Sequence, residues 1–114
     1  MRITSIGDIQ PVPVDADGAL HAVKRLLIGS GDGAPLFSMR LFDIAPGGCS
    51  PSHRHSFEHE IFVVEGSGTV ISKDEEHPIQ PGTSVYIAPD ETHQLKNNGA
   101  GTLRFLCIVP REYE

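Results

Sequence analysis

The stretch Gly47-Gly48-Cys49-Ser50-Pro51-Ser52-His53-Arg54-His55-Ser56-Phe57-Glu58-His59-Glu60-Ile61-Phe62-Val63-Val64-Glu65-Gly66 carries the strongest signal in the chain. Residues two apart in a strand point to the same side, so His53 and His55 are expected to present neighbouring imidazoles to one face. After Ser56-Phe57-Glu58, His59 opens the apolar run Ile61-Phe62-Val63-Val64, and a tight turn would bring it beside the first pair. Further on, His93 follows the turn Ala88-Pro89-Asp90-Glu91-Thr92 and can close the set from another strand if the sheet curls into a barrel. Imidazole nitrogen suits Mn, Fe, Co, Ni, Cu or Zn, with geometry and availability deciding among them. A lone His-x-His is more often a solvated pair in a polar loop; the company of His59 and His93 is what favours a metal. His21 and His77 have no such company and are assigned no function.

Working outward, short apolar runs are separated by turn residues, and none keeps a helical period long enough for a helix. The expected strands are 22–28, 36–44, 59–65, 68–72, 83–87, 93–97 and 102–109. Between them lie Gly29-Ser30-Gly31-Asp32-Gly33, Ala45-Pro46-Gly47-Gly48, Glu65-Gly66-Ser67-Gly68, Pro81-Gly82 and Asn97-Asn98-Gly99, read as turns. Lys73-Asp74-Glu75-Glu76-His77-Pro78 reads as a solvated hairpin. Many short strands with Gly and Pro at the corners indicate an all-β sandwich or barrel, jelly rolls included. Residues 1–20, with Pro11, Pro13 and Asp17-Gly18, are expected to form an N-terminal arm or edge strand, and residues 21–114 the barrel. Such an arm often packs on a neighbouring subunit, so a homodimer is expected.

With 114 residues there is room for one domain. Hydrophobic residues at 39% and charged residues at 21% are those of a chain that folds. A formal charge of -6, with the acids scattered, repels nucleic acid and anionic lipid. No apolar run is long enough to cross a bilayer, and Met1-Arg2-Ile3-Thr4-Ser5 lacks the apolar stretch of a signal peptide, so the expected location is cytoplasmic. In that setting Cys49 and Cys107 are read as free thiols.

The same residues carry a family resemblance. Gly47 to Gly66 is similar to the first cupin motif, G-x5-H-x-H-x3,4-E-x6-G, with one departure, and the second, G-x5-P-x-G-x2-H-x3-N, is met by Gly82, His93 and Asn97, with Ala88 and Asp90 replacing its Pro and second Gly. Together they span nearly half the chain. The resemblance implies a cupin double-stranded β-helix, a jelly-roll barrel in a single domain. At the glutamate position of the first motif either His59 or Glu60 can stand; counting six residues back from Gly66 lands on His59, and alternation then sends Glu60 to the other side. The chain resembles small four-histidine cupins, which implies His53, His55, His59 and His93 as ligands of one divalent transition metal, Mn first, then Fe, Ni or Zn.

Four protein ligands leave an octahedral ion two open positions, so a small-molecule substrate is implied. Small cupins resemble dioxygenases in many cases, which makes oxidation of a small oxygenated molecule the first expectation. A non-redox lyase or isomerase and a binding module without turnover are the alternatives, and fold alone does not choose among them. Metal affinity should fall below about pH 6, because protonated imidazole does not ligate. For the lining, Leu95 shares the face of His93, while on the last strand Phe105 and Cys107 share one face and Arg104 and Leu106 the other; the resemblance puts Phe105 and Cys107 in the pocket, plain core packing being the alternative. Arg40, a charge within an apolar strand, either faces solvent or holds an anionic substrate group. Tyr86 is either a pocket hydroxyl or an outer-face residue. Arg40, Phe105 and Cys107 are the candidate catalytic residues.

Overall fold

The structure, a computed structural model, describes residues 1–114. It contains β1 (Val12–Pro13), β2 (Leu20–Ile28), β3 (Phe37–Cys49), β4 (His59–Glu65), β5 (Gly68–Ser72), β6 (Glu75–Ile79), β7 (Ser84–Ile87), β8 (Gln94–Lys96) and β9 (Leu103–Pro110), with 3-10 turns at Ile6–Asp8, Ser30–Asp32 and Arg111–Tyr113. All strands belong to one curled sheet of order β6-β5-β8-β3-β9-β4-β7, with β2 also on β3 and β1 on β2. The fold is therefore the single-domain, all-β jelly roll expected. No helix is long and apolar enough to cross a membrane.

The curl comes from β3. The sequence reading ends this strand at Ile44 and makes Ala45-Pro46-Gly47-Gly48 a turn; the strand instead continues to Cys49 and changes neighbour there. From Phe37 to Ile44 it pairs with β9, whereas Cys49 pairs with Lys96 of β8. Gly47 takes the bend at φ 82, a left-handed conformation that glycine adopts without steric cost. A backbone carbonyl freed at such a switch needs a new partner. Asn97 supplies it: its buried side-chain amide donates to Ile44 O and Gly101 O, both at 2.8 Å, and its Oδ1 accepts from Gly99 N.

Two other local expectations are corrected. His53-Arg54-His55 is not a strand; His53 makes a single antiparallel bridge to His93 and the rest of 50–58 is loop. The hairpin around His77 includes a full strand, β6, whose Glu75, Glu76, His77 and Pro78 are exposed while Ile79 is buried. An edge strand paired on one side only tolerates that composition, proline included. Lys73 and Asp74, both at positive φ, form its two-residue turn.

Period-two alternation places the core. Along β9, Leu103, Phe105, Cys107 and Val109 are buried and the intervening residues half-buried. They meet Ile44 of β3 and Ile61 and Val63 of β4 inside the curl. On the outer face Asp43 accepts from Arg104 Nε at 2.7 Å and from Arg25 Nη1 at 3.0 Å, tying β2, β3 and β9 together. Hydrogen bonds from Arg104 and then Arg25 outweigh burial and hold the Asp43 carboxyl below its usual range.

The last glycine of the first motif has a steric reason. Gly66 sits at φ 79, and a Cβ there would overlap the carbonyl oxygen of Thr102. Gly66→Ala is expected to cost roughly 3 kcal/mol or more, combining a disfavoured backbone conformation with a backbone clash. Urea unfolding would measure it, and a loss under about 1 kcal/mol would mean that the turn moves freely.

Candidate metal centre

The bridge between His53 and His93 is the foundation of the site. His53 N donates to His93 O at 3.1 Å and His93 N to His53 O at 2.9 Å, so the two rings start from paired backbone. The ligand nitrogens of His53, His55 and His93 lie within 4.8 Å of one another. His59, at the start of β4, joins through its Nε2, 2.6 Å from His55 Nε2. All four imidazoles thus meet, with three at mutual ligand spacing and His59 turned against His55. Glu60 faces outward and is exposed, as alternation requires.

Whether this set fits a metal is decided by its protons. A carbonyl can only accept, so His55 Nδ1–H must donate to Phe57 O and His93 Nδ1–H to Glu91 O, both at 2.8 Å. Each ring is left with a lone pair on Nε2, the tautomer that backbone acceptors commonly fix in metal-binding histidines. His93 Nε2 is buried without a hydrogen-bond partner, an arrangement that asks for an electrophile. Burial, followed by neighbouring imidazoles and the Arg40 guanidinium, lowers the pKa of His53. Burial is again the largest cause at His55, ahead of an opposing hydrogen bond to Phe57. His59 is 8% exposed and is pushed down to about 3, chiefly by burial, then by His55 and Arg40. Neutral imidazole is the ligating form, and burial keeps these rings neutral to lower pH than a free imidazole.

The residues left open by the sequence fall on definite sides. Arg40 points inward, 8% exposed, and its Nη2 donates to Cys107 Sγ at 3.0 Å. Cys107 Sγ also lies 2.9 Å from His59 Nδ1, and burial pushes its thiol pKa up despite Arg40. Phe105 is buried and stacks on Phe42 with centroids 5.2 Å apart. Leu95 lines the same cavity. Tyr86 is 62% exposed on the outer face, across from Glu60, and Cys49 and Cys107 are free. Phe57, stacked between His55 at 3.8 Å and Tyr113 at 3.9 Å, supports the ring of His55 from behind.

The cavity above the histidines has a volume of about 130 Å³, room for a compact ligand only. Among the lining residues that sequence reasoning missed are Lys24 and Phe42. Arg40, Phe42 and Ile44 share one parity on β3, and Lys24 stands across from Phe42 on β2. Parity alone could have grouped Phe42 with Arg40; Lys24 needed the register.

A family profile described as "Cupin domain" matches residues 40–109. The chain is a cupin. Among solved structures this cupin is similar to the polyketide cyclase RemF from Streptomyces resistomycificus, with TM-score 0.92 and 33% identity over 96% of this chain and 79% of that one. Auxin-binding protein 1 of Arabidopsis thaliana is 34% identical over 84% of this cupin and 48% of its own length, so the chain spans about half of that relative. L-ectoine synthase from Mycolicibacterium gilvum is 28% identical, covering 95% of this cupin and 82% of the synthase. Relatives of this cupin thus include enzymes and a binding protein.

Proposed function

We propose that His53, His55, His59 and His93 hold one divalent first-row ion and that the protein is a metal-dependent, non-redox enzyme acting on a small carbonyl compound. Manganese is the first ion to test, on the resemblance to four-histidine cupins, followed by Fe, Ni and Zn. The observation that carries the reading is the buried Nε2 of His93, unpartnered, on a ring whose Nδ1–H, like that of His55 beside it, is committed to a backbone carbonyl. The likeness to a polyketide cyclase and to a synthase supports carbonyl chemistry over the oxygenation first expected. When bound, the ion supplies Lewis acidity to a carbonyl oxygen.

The chain's own residues do the rest. Phe42, Phe105, Ile61 and Leu95 give the cavity an apolar wall that displaces water from a bound molecule. His59 Nδ1 and Cys107 Sγ, 2.9 Å apart, hold a proton between them. With His55 Nε2 an acceptor, His59 Nε2–H donates to it and Cys107 S–H donates to His59 Nδ1. Ligation through His59 Nε2 would require the ring to carry its single proton on Nδ1 instead of Nε2, the Nδ1–H then donating to Cys107 Sγ.

One probe separates the readings. Zn- or Ni-loaded protein should accelerate exchange of the central protons of 2,4-pentanedione in D2O under argon, and Mn- or Fe-loaded protein should consume no oxygen with it. Oxygen uptake without accelerated exchange would transfer the protein to the oxygenases. Saturable binding with neither activity would make it a binding module.

A further inference from the structure

We propose that Lys24 and Arg40 form an anion-binding subsite in the cavity, whose ligand is a flat, largely apolar molecule bearing a carboxylate. The arginines Arg2, Arg25 and Arg104 are each ion-paired, to Asp32 or Asp43. Arg40 and Lys24 take part in no ion pair, although Arg40 is more than nine-tenths buried. Arg40 Nε is buried with no hydrogen-bond partner, and Nη2 has the Cys107 sulfur, a weak acceptor. A buried guanidinium left so is unfavourable unless an anion completes it.

Nothing in the protein supplies that anion. The residues lining the cavity include Lys24, Arg40 and three histidines but no Asp or Glu. Lys24 is itself half-buried, and its pKa is lowered by burial and by the like charge of Arg40, so the two cations strain one another across the cavity. The proposed ion adds its full charge, since its imidazole ligands are neutral. An arginine is suited to a carboxylate, whose two oxygens its fork can meet together. The body of the ligand follows from the wall: Phe42 and Phe105, stacked on one another, form one aromatic patch in the cavity lining, and the Arg40 guanidinium sits 5.0 Å from the Phe42 centroid. A planar apolar body with an acidic group at one end matches this arrangement.

The inference deepens the proposed carbonyl chemistry and shares its cavity, but Lys24 and Arg40 act without the ion, which allows the two to fail separately. The probes are 2-naphthoate and its neutral counterpart 2-naphthamide, titrated by calorimetry into metal-free and metal-loaded protein. Metal-free protein should bind the carboxylate about tenfold more tightly than the amide, or better. Lys24→Gln should reduce that preference several-fold and Arg40→Met should abolish it. Arg40→Met removes a buried contact, so its folding is checked by urea unfolding; Lys24→Gln, on a half-buried position, is the independent variant. Equal binding of acid and amide by metal-free wild type, or an unchanged preference in Lys24→Gln, overturns the subsite. A preference seen only with metal and unaffected by Lys24→Gln assigns the carboxylate to the ion. A preference intact in metal-free protein whose histidines bind no ion keeps the subsite and removes the metal reading.

Discussion

Metal-free protein is expected to lose about 3 kcal/mol of folding stability between pH 7 and pH 4 through His59 alone. The folded-state pKa of this group is depressed to about 3 from the ordinary imidazole value of 6.5, chiefly by burial. Between those values the unfolded chain takes up a proton that the folded one refuses, so stability rises with pH across the window. The contribution is fully present above 6.5 and is lost as pH falls toward 3. His53 and His55, also lowered, act in the same direction. Because His59 is 8% exposed, solvent screens little of the effect. Urea midpoints at pH 7 and pH 4 in the presence of a chelator measure it, and His59→Leu should flatten the difference. A pH-independent midpoint, or an unchanged slope in His59→Leu, would show that the buried imidazole is protonated without resistance.

His59→Ala is expected to lower metal affinity on the order of 100-fold or more, while Glu60→Ala leaves it unchanged. Loss of a partner that only orients a ligand typically costs 10- to 100-fold, and loss of the ligand itself should cost no less. The two residues are sequence neighbours on β4 but belong to opposite faces: His59 lies against His55 and Cys107, whereas Glu60 is exposed beside Tyr86. Elemental analysis after dialysis against a weak chelator gives the comparison. Metal lost in Glu60→Ala and kept in His59→Ala would require β4 to be rotated by one residue, turning its buried Ile61 and Val63 out to solvent.

That pair also shows why so much was readable from sequence. In β4 and β9 a strict period of two fixes which side chains share a face, and on β4 the six-residue spacing to Gly66 fixes the phase. That places His59 inward on β4, whereas on β9 parity only grouped Phe105 with Cys107, and it took the family resemblance to turn that face toward the pocket. What escaped depends on contacts between strands. Arg40 could not be oriented from its own strand, because an isolated charge among apolar residues satisfies either face; its partner Cys107 lies 67 residues away. Lys24 entered only through its pairing with Phe42. Ala45-Pro46-Gly47-Gly48 has the composition of a turn, yet Asn97 and β8 recapture the backbone that a turn would have left to solvent. In the polar segment Glu75–Pro78, one-sided hydrogen bonding to β5 does what side-chain burial does elsewhere.

The change of neighbour along β3 has a mechanical consequence. One unbroken strand is a member of both halves of the barrel, next to β9 at one end and β8 at the other, so the halves have no hinge between them. Prying them apart would rupture the ladder from Gly47 to His53, including the bonds Gly47 N to Asn97 O and Ser50 N to Leu95 O. A visiting molecule therefore enters between barrel halves that main-chain bonds hold at a fixed separation.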